Sequence, residues 1–344
     1  MRGQVSRLSI CFGIVFTMFF AALLLSSVPE KTSLDSESEM IPPTPGPEME
    51  EYNEKEFVNL LRSTYGESRF IVEFCLAHNA CFNIVDELRT IGSRTVVVRA
   101  AEKYNFVLTR TALKFPKKLT RSTVDTSKWE IEFTNFNEGV TYVMIEELVS
   151  CGVLHGKNSQ AKVLSLGLGG GFINGYMHAE FPQMKISVVE INERSIEMAK
   201  KWFGLKTDER HEVILMDGAK YVEECAQKGE DFDIIFLDAC FLNKDVDLIC
   251  PTAVFLQADV IENIAKLLGN RGILVINVLP NRDDSNDPLK KVATLYKEHF
   301  RYYKETPVSF TTNYILTFSQ FKYEGLHYSS DHLLKTKKKK SDND

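Results

Sequence analysis

The chain has 344 residues, 44% of them apolar and 26% charged, with 41 basic against 47 acidic side chains and a net charge of −6. That length and apolar content allow one large domain or two smaller ones around a substantial core. The acidic balance excludes a general attraction to nucleic acid, whose phosphate backbone demands a basic face.

From the N-terminus, a stub of residues 1–7 carrying Arg2 and Arg7 precedes Leu8 to Val28, which contains no charge and is dominated by Ile, Phe, Val, Leu and Met. At ~1.5 Å per residue such a run is long enough to cross a ~30 Å hydrocarbon layer as a transmembrane helix. A cleaved signal peptide, with the arginines as its positive region, would instead release a secreted protein. The length of the run and the poor cleavage site in Leu25-Ser26-Ser27-Val28-Pro29 favour an uncleaved signal anchor. Arginines before the span and acids after it leave the stub in the cytosol and send the folded part to the lumen or the cell exterior. Six of the seven cysteines follow the span, an even number that permits disulfides there. Cys75 and Cys81 are the pair suspected of bridging, whereas Cys151, Cys240 and Cys250 read as buried thiols. No Asn-x-Ser/Thr sequon occurs, which is unusual for a lumenal domain.

Residues 29–54 hold five prolines among Ser and Glu and read as a disordered stalk. Folded material begins near Lys55, with Phe57, Leu60 and Leu61 at helical spacing. Strand-like runs follow at 70–74, 82–85, 95–98 and 105–108 with no helical pattern between them, so residues 55–138 read as a small antiparallel β unit. Residues 113–128 read as a loop insertion. A helix is expected from Gly139 towards Val153. Strands at 162–166, 185–191, 212–216, 232–237 and 272–278 then alternate with helices at 172–181, 193–203, 218–226, 251–268 and 288–299. Two late β runs, 301–308 and 313–318, complete the pattern. Alternation of this kind calls for a parallel sheet covered on both faces, closed by an antiparallel hairpin at its edge. The fold class is thus α/β, a seven-stranded Rossmann-like methyltransferase sheet over 139–325, preceded by the β unit. A basic tail, 326–344, ends the chain; its lysines at 335 and 337–340 read as solvated.

In an open α/β sheet, ligands bind at the carboxyl ends of the strands, near the point where strand order reverses. Four strand ends here present a consistent set. Gly167-Leu168-Gly169-Gly170-Gly171 forms a loop, where Gly167, Gly169 and Gly171 let a ligand approach the backbone. Glu190, 23 residues after Gly167, is placed to accept hydrogen bonds from two ribose hydroxyls. Asp217 and Gly218 follow the third strand, where a carboxylate meets an adenine amino group; Asp217 would equally serve as a helix N-cap. Asp238 closes the fourth strand beside the reacting end of the cofactor. No metal-type Cys/His spacing appears.

Residues 80–320 resemble the spermidine synthase-like group of class I S-adenosylmethionine-dependent transferases. Within it they are most similar to the methyltransferase-like branch of the elongation factor 1-alpha N-terminus methyltransferase type. The marks are the glycine loop including Leu168, Leu237-Asp238, Cys250-Pro251, Gly272-Ile273-Leu274-Val275-Ile276-Asn277, and Asn313-Tyr314-Ile315-Leu316. Aminopropyltransferases of the group carry an Asp where Gly170 stands, a further acid-bearing motif where Ala239-Cys240-Phe241-Leu242 stands, and a Glu missing from Thr141-Tyr142-Val143-Met144. A polyamine is a flexible polycation that needs such carboxylates.

The resemblance implies methyl transfer from S-adenosylmethionine to an amine of a protein or small molecule, with Asp238 orienting or deprotonating the acceptor. The alternatives are aminopropyl transfer from decarboxylated S-adenosylmethionine, and a membrane-anchored pseudoenzyme that keeps the fold without turnover. A homodimer is compatible with the sequence.

Overall fold

The structure, a computed structural model, describes residues 51–78, 80–91, 93–104, 106–134, 139–241, 246–281 and 287–322. The expected stub, the anchor at 8–28, nearly all of the stalk and the basic tail lie outside those residues. Among the described residues no helix is long and apolar enough to cross a membrane.

Helix α1 (Glu54–Tyr65) opens on a capping box, in which Asn53 Oδ1 accepts from Glu56 N–H at 3.0 Å and Glu56 Oε2 accepts from Asn53 N–H at 3.1 Å. These polar residues look like stalk by composition, and the first helix with its cap starts slightly earlier than the expected boundary. Strands β1 (Ser68–Ala77), β2 (Ala80–Ile91), β3 (Arg94–Lys103), β4 (Phe106–Leu113) and β5 (Ile131–Glu132) form an antiparallel sheet in chain order. Each of the first four is longer than its apolar run, because polar residues at the hairpin ends continue the ladder. Phe57 and Leu61 of α1 pack with Val97, Leu113 and Trp129. The expected loop after β4 contains two 3-10 turns, Arg121–Thr123 and Thr126–Lys128, and Trp129 Nε1 donates to Thr123 O at 2.9 Å.

The second sheet alternates with helices: α2 (Val140–Ser150), β6 (Lys162–Leu166), α3 (Phe172–Glu180), β7 (Lys185–Glu190), α4 (Glu193–Trp202), β8 (His211–Leu215), α5 (Gly218–Lys228), β9 (Ile234–Leu237), β10 (Leu248–Cys250), α6 (Ala258–Leu268), β11 (Ile273–Pro280), α7 (Pro288–Lys297), β12 (Tyr302–Pro307) and β13 (Tyr314–Ser319). Seven strands run in the order β12-β13-β11-β9-β6-β7-β8, and β10 pairs antiparallel with the end of β11 as an eighth. Strands β8, β7, β6, β9 and β11 are mutually parallel, while β13 and β12 are antiparallel, as the late hairpin required.

Successive strand residues face opposite cores. Val163, Val188, Phe236 and Val275 pack with α2, α3 and α4. Leu164, Val189, Leu237 and Ile276 pack with α5, α6 and α7. Burial on both faces is why these strands read as near-continuous apolar runs, interrupted by small serines in β6 and β7.

Two expectations need correction. The helix expected over 251–268 is a 3-10 turn, Ala253–Leu256, followed by α6 from Ala258, with extended backbone at Gln257 between them. Cys240 and Cys250 are not buried thiols but partners in a disulfide, and Cys240 is exposed. Cys75 and Cys81 bridge, as suspected.

The small sheet docks beside the second strand end of the large one. Phe74, Phe82, Ile84 and Ala101 pack against Met198 and Phe203 of the α4 segment. Buried Arg99 of β3 donates to Asp86 at 2.7 and 2.8 Å and also reaches Trp202 O at 3.2 Å. The bidentate pair lies within the small sheet and fixes the guanidinium, whose bond to Trp202 O ties that sheet to the α4 segment.

Candidate active site

The chain reverses its strand order between β6 and β9, and the suspected residues gather at the carboxyl ends of the strands around that point. The glycines of the loop have different local causes. Gly167, at φ +98°, is demanded by its neighbour strand, since a Cβ there would lie 2.4 Å from the Asp238 carbonyl oxygen. Gly170 faces the small sheet, where a Cβ would lie 2.4 Å from Thr109 Oγ1. A side chain at this position, such as the acid that the resemblance implies for aminopropyltransferases, therefore requires Thr109 to shift. At Gly169, φ is +53° and a Cβ would meet nothing within 4 Å. The positive φ itself favours glycine there, and the open space leaves the backbone at the strand end accessible to a ligand. Gly171 is the N-cap of α3.

Glu190, the last residue of β7, is buried, and both of its oxygens are engaged. Oε2 accepts from Leu168 N–H at 3.0 Å and Oε1 from Asn192 N–H at 2.8 Å. The acid that closed a buried strand thus has its partners in the backbone of the glycine loop and of the turn after β7. Burial pushes its pKa up, opposed by these N–H groups. Leu168 enters the site through its N–H alone, because its side chain lies in the core. Asn192 caps α4 by accepting from Arg194 N–H at 2.9 Å, and its Nδ2 donates to Leu76 O at 3.1 Å. It therefore joins the strand end to the β1–β2 hairpin closed by the Cys75–Cys81 bridge.

Asp217 is exposed and caps α5, with Oδ1 accepting from Ala219 N–H at 2.8 Å and Lys220 N–H at 3.3 Å. The capping role weighed from the sequence is present, and the second oxygen makes no hydrogen bond among the described residues. Gly218 packs closely, its would-be Cβ 3.0 Å from the Phe255 ring.

Asp238 stands half-buried across the loop from these groups. Its N–H donates to Leu166 O at 2.9 Å, and its Oδ1 accepts from Asn277 Nδ2 at 2.7 Å. Cys240 Sγ lies 3.4 Å from the same oxygen but, being disulfide-bonded, has no hydrogen to donate. Burial pushes the Asp238 carboxyl up to about 6, against the lowering effect of Asn277.

Three contributors were not singled out as site residues: Asn192, Asn277 and the Cys240–Cys250 bridge. Asn277 carried a signal, since an amide near the end of an otherwise apolar buried strand needs a hydrogen-bond partner.

The fold is an α/β class I methyltransferase-like one with a mixed sheet. Residues 143–322 match the spermine/spermidine synthase domain family, and the chain belongs to that family. The eEF1A lysine and N-terminal methyltransferase homolog of Drosophila pseudoobscura pseudoobscura is 35% identical over 123 residues, 36% of this chain and 18% of that protein. The polyamine aminopropyltransferase of Vibrio vulnificus is 28% identical over 116 residues, 34% of this chain and 37% of that protein. The chain thus aligns with well under half the length of these curated relatives. The crystal structure of human methyltransferase-like protein 13 in complex with SAH shares the fold at a TM-score of 0.50 and 24% identity, covering 58% of this chain and 88% of that one.

Proposed function

We propose that the chain is an S-adenosylmethionine-dependent methyltransferase acting on an amine of a protein or small molecule. The observation that carries this reading is the gathering of Glu190, Asp217 and Asp238 at strand ends around Gly169, where the backbone is open to a ligand. The residues fit the cofactor. Each Glu190 oxygen accepts one backbone N–H and keeps lone-pair capacity for a ribose hydroxyl. Asp217 keeps one oxygen for an adenine amino group. Bound S-adenosylmethionine supplies an electrophilic methyl group. As the methyl passed to the amine, the sulfonium's S–C bond would break to leave a neutral thioether, and Asp238 would take the proton that the amine loses; a carboxyl near 6 is better matched to that task than an ordinary one. Relatives named for lysine and N-terminal methylation support an amine acceptor. Aminopropyl transfer is the weaker reading because Gly170 is packed against Thr109.

The proposal extends to location. The anchor at 8–28 would hold the folded part in an oxidising lumen or outside the cell, a setting supported by two disulfides. Alkaline extraction and protease protection of membranes check this: extraction of the intact chain into the soluble fraction would remove the anchor.

The activity is tested with detergent-solubilised full-length protein. Methyl transfer from labelled S-adenosylmethionine to a protein-amine pool is the expected result. Turnover of putrescine with the decarboxylated cofactor would favour the aminopropyl reading, and cofactor binding without either turnover the pseudoenzyme.

A further inference from the structure

The parallel register of β9 and β11 pairs Leu237 with Ile276, so the next step along both strands sets Asp238 beside Asn277. Asn277 is 5% exposed, and its amide is used at both ends. Nδ2 donates to Asp238 Oδ1 at 2.7 Å, while Oδ1 accepts from Asn313 Nδ2 at 2.8 Å. Asn313 sits just before β13, whose Tyr314 pairs with Val278. Three adjacent strand ends thus contribute one side chain each to a series that runs Asn313, Asn277, Asp238.

The series has a fixed direction. With its carbonyl oxygen occupied by Asn313, Asn277 turns its NH₂ towards the carboxylate rather than its oxygen. The Asp238 backbone is held on the other side by Leu166 and by the close approach of Gly167. Asp238 Oδ2 makes no hydrogen bond among the described residues.

We propose that Asn277, itself oriented by Asn313, is a positioning residue that holds Asp238 by Oδ1 and presents Oδ2 to the acceptor amine. This rests on the amine-methyltransferase reading for the identity of what Oδ2 meets. Peptide-like amides around one carboxylate, in place of several acids, suit a single amine centre better than a polycation.

The test separates positioning from packing by asking whether the carboxyl itself responds. The groups facing Asp238 are Leu166 and Gly167 from the β6 end, the Cys240–Cys250 bridge beside β10, and Asn277 from β11. Among the described residues no cation or second carboxylate contributes to its shift. Removing the donor in Asn277→Leu destabilises the ionised form, so the Asp238 midpoint rises on the order of one pH unit. The acid limb of the kcat/KM profile, which requires ionised Asp238, moves up with it. Asn313→Ala leaves Asn277 in place but unoriented, and gives a smaller shift in the same direction.

The measurement is a carbon-13 NMR titration of carboxyl-labelled aspartate in the full chain, with the signal assigned by Asp238→Asn. It is run beside the pH profile and S-adenosylmethionine affinity. An unmoved midpoint in folded Asn277→Leu overturns the proposal. If that variant does not fold, an unmoved midpoint in Asn313→Ala overturns it. A midpoint that shifts in Asn277→Leu while the parent transfers no methyl group keeps Asn277 as the orienting group and removes the acceptor reading instead.

Discussion

At the residue scale the account turns on what each carboxylate touches. Asp238→Asn keeps the shape of the side chain and its contact with Asn277 but removes the base, so turnover falls by roughly 10²–10⁴ with cofactor affinity nearly unchanged. The same variant carries a thermodynamic signature. The folded carboxyl titrates at about 6, above its ordinary 3.8, so the fold disfavours the ionised form. That penalty is absent below about pH 4, grows as pH rises and is complete above the folded value. Asp238→Asn therefore raises Tm at pH 8 and leaves it little changed at pH 4; a lowered Tm at pH 8 contradicts the assignment. Glu190→Ala does more than remove a ribose contact. It strands the Leu168 and Asn192 N–H groups, at about 1–3 kcal/mol for each buried donor left alone. Chemical denaturation and calorimetry should show losses in both stability and affinity, whereas unaltered affinity removes Glu190 from the ribose site. Glu190 and Asp238 were legible because an acid closing an apolar strand is conspicuous. Asn192 and Asn313 were not, because an amide after a strand or before one is also ordinary turn chemistry.

At the scale of elements, the β–α alternation was legible to within a residue or two wherever both faces of a strand are buried. β6 and its neighbours are near-continuous apolar runs for that reason. The segment from Asp238 to α6 was not. Three-residue β10 has no periodicity to read, and the bond joining Cys240 to Cys250 depends on β10 returning beside the end of β11. The bridge borders Asp238, with Cys240 Sγ 3.4 Å from its Oδ1. Replacing both cysteines with serine should cost about 2–3 kcal/mol of stability in the chain-entropy account of a short loop. It should lower turnover more than cofactor affinity. Equal losses in the two, measured by calorimetry and initial rates, would show that the bridge supports the whole pocket rather than its acceptor side.

For the molecule as a whole, the small sheet meets the glycine loop through Thr109, whose side chain packs against Gly170, the position where the family resemblance implies an acid in aminopropyltransferases. That contact joins two layers far apart in sequence, so no local pattern announced it. The central claim is that the space over Gly169 holds S-adenosylmethionine. Its most direct test is titration calorimetry of the full-length protein with S-adenosylmethionine and with its decarboxylated form, for the parent and for Gly169→Val. The account predicts one site for S-adenosylmethionine in the parent, lost in the folded variant. A valine there projects into that space, and φ +53° also strains a β-branched residue, so circular dichroism must show that the variant is folded. No S-adenosylmethionine binding by the folded parent, or undiminished binding by Gly169→Val, would contradict it.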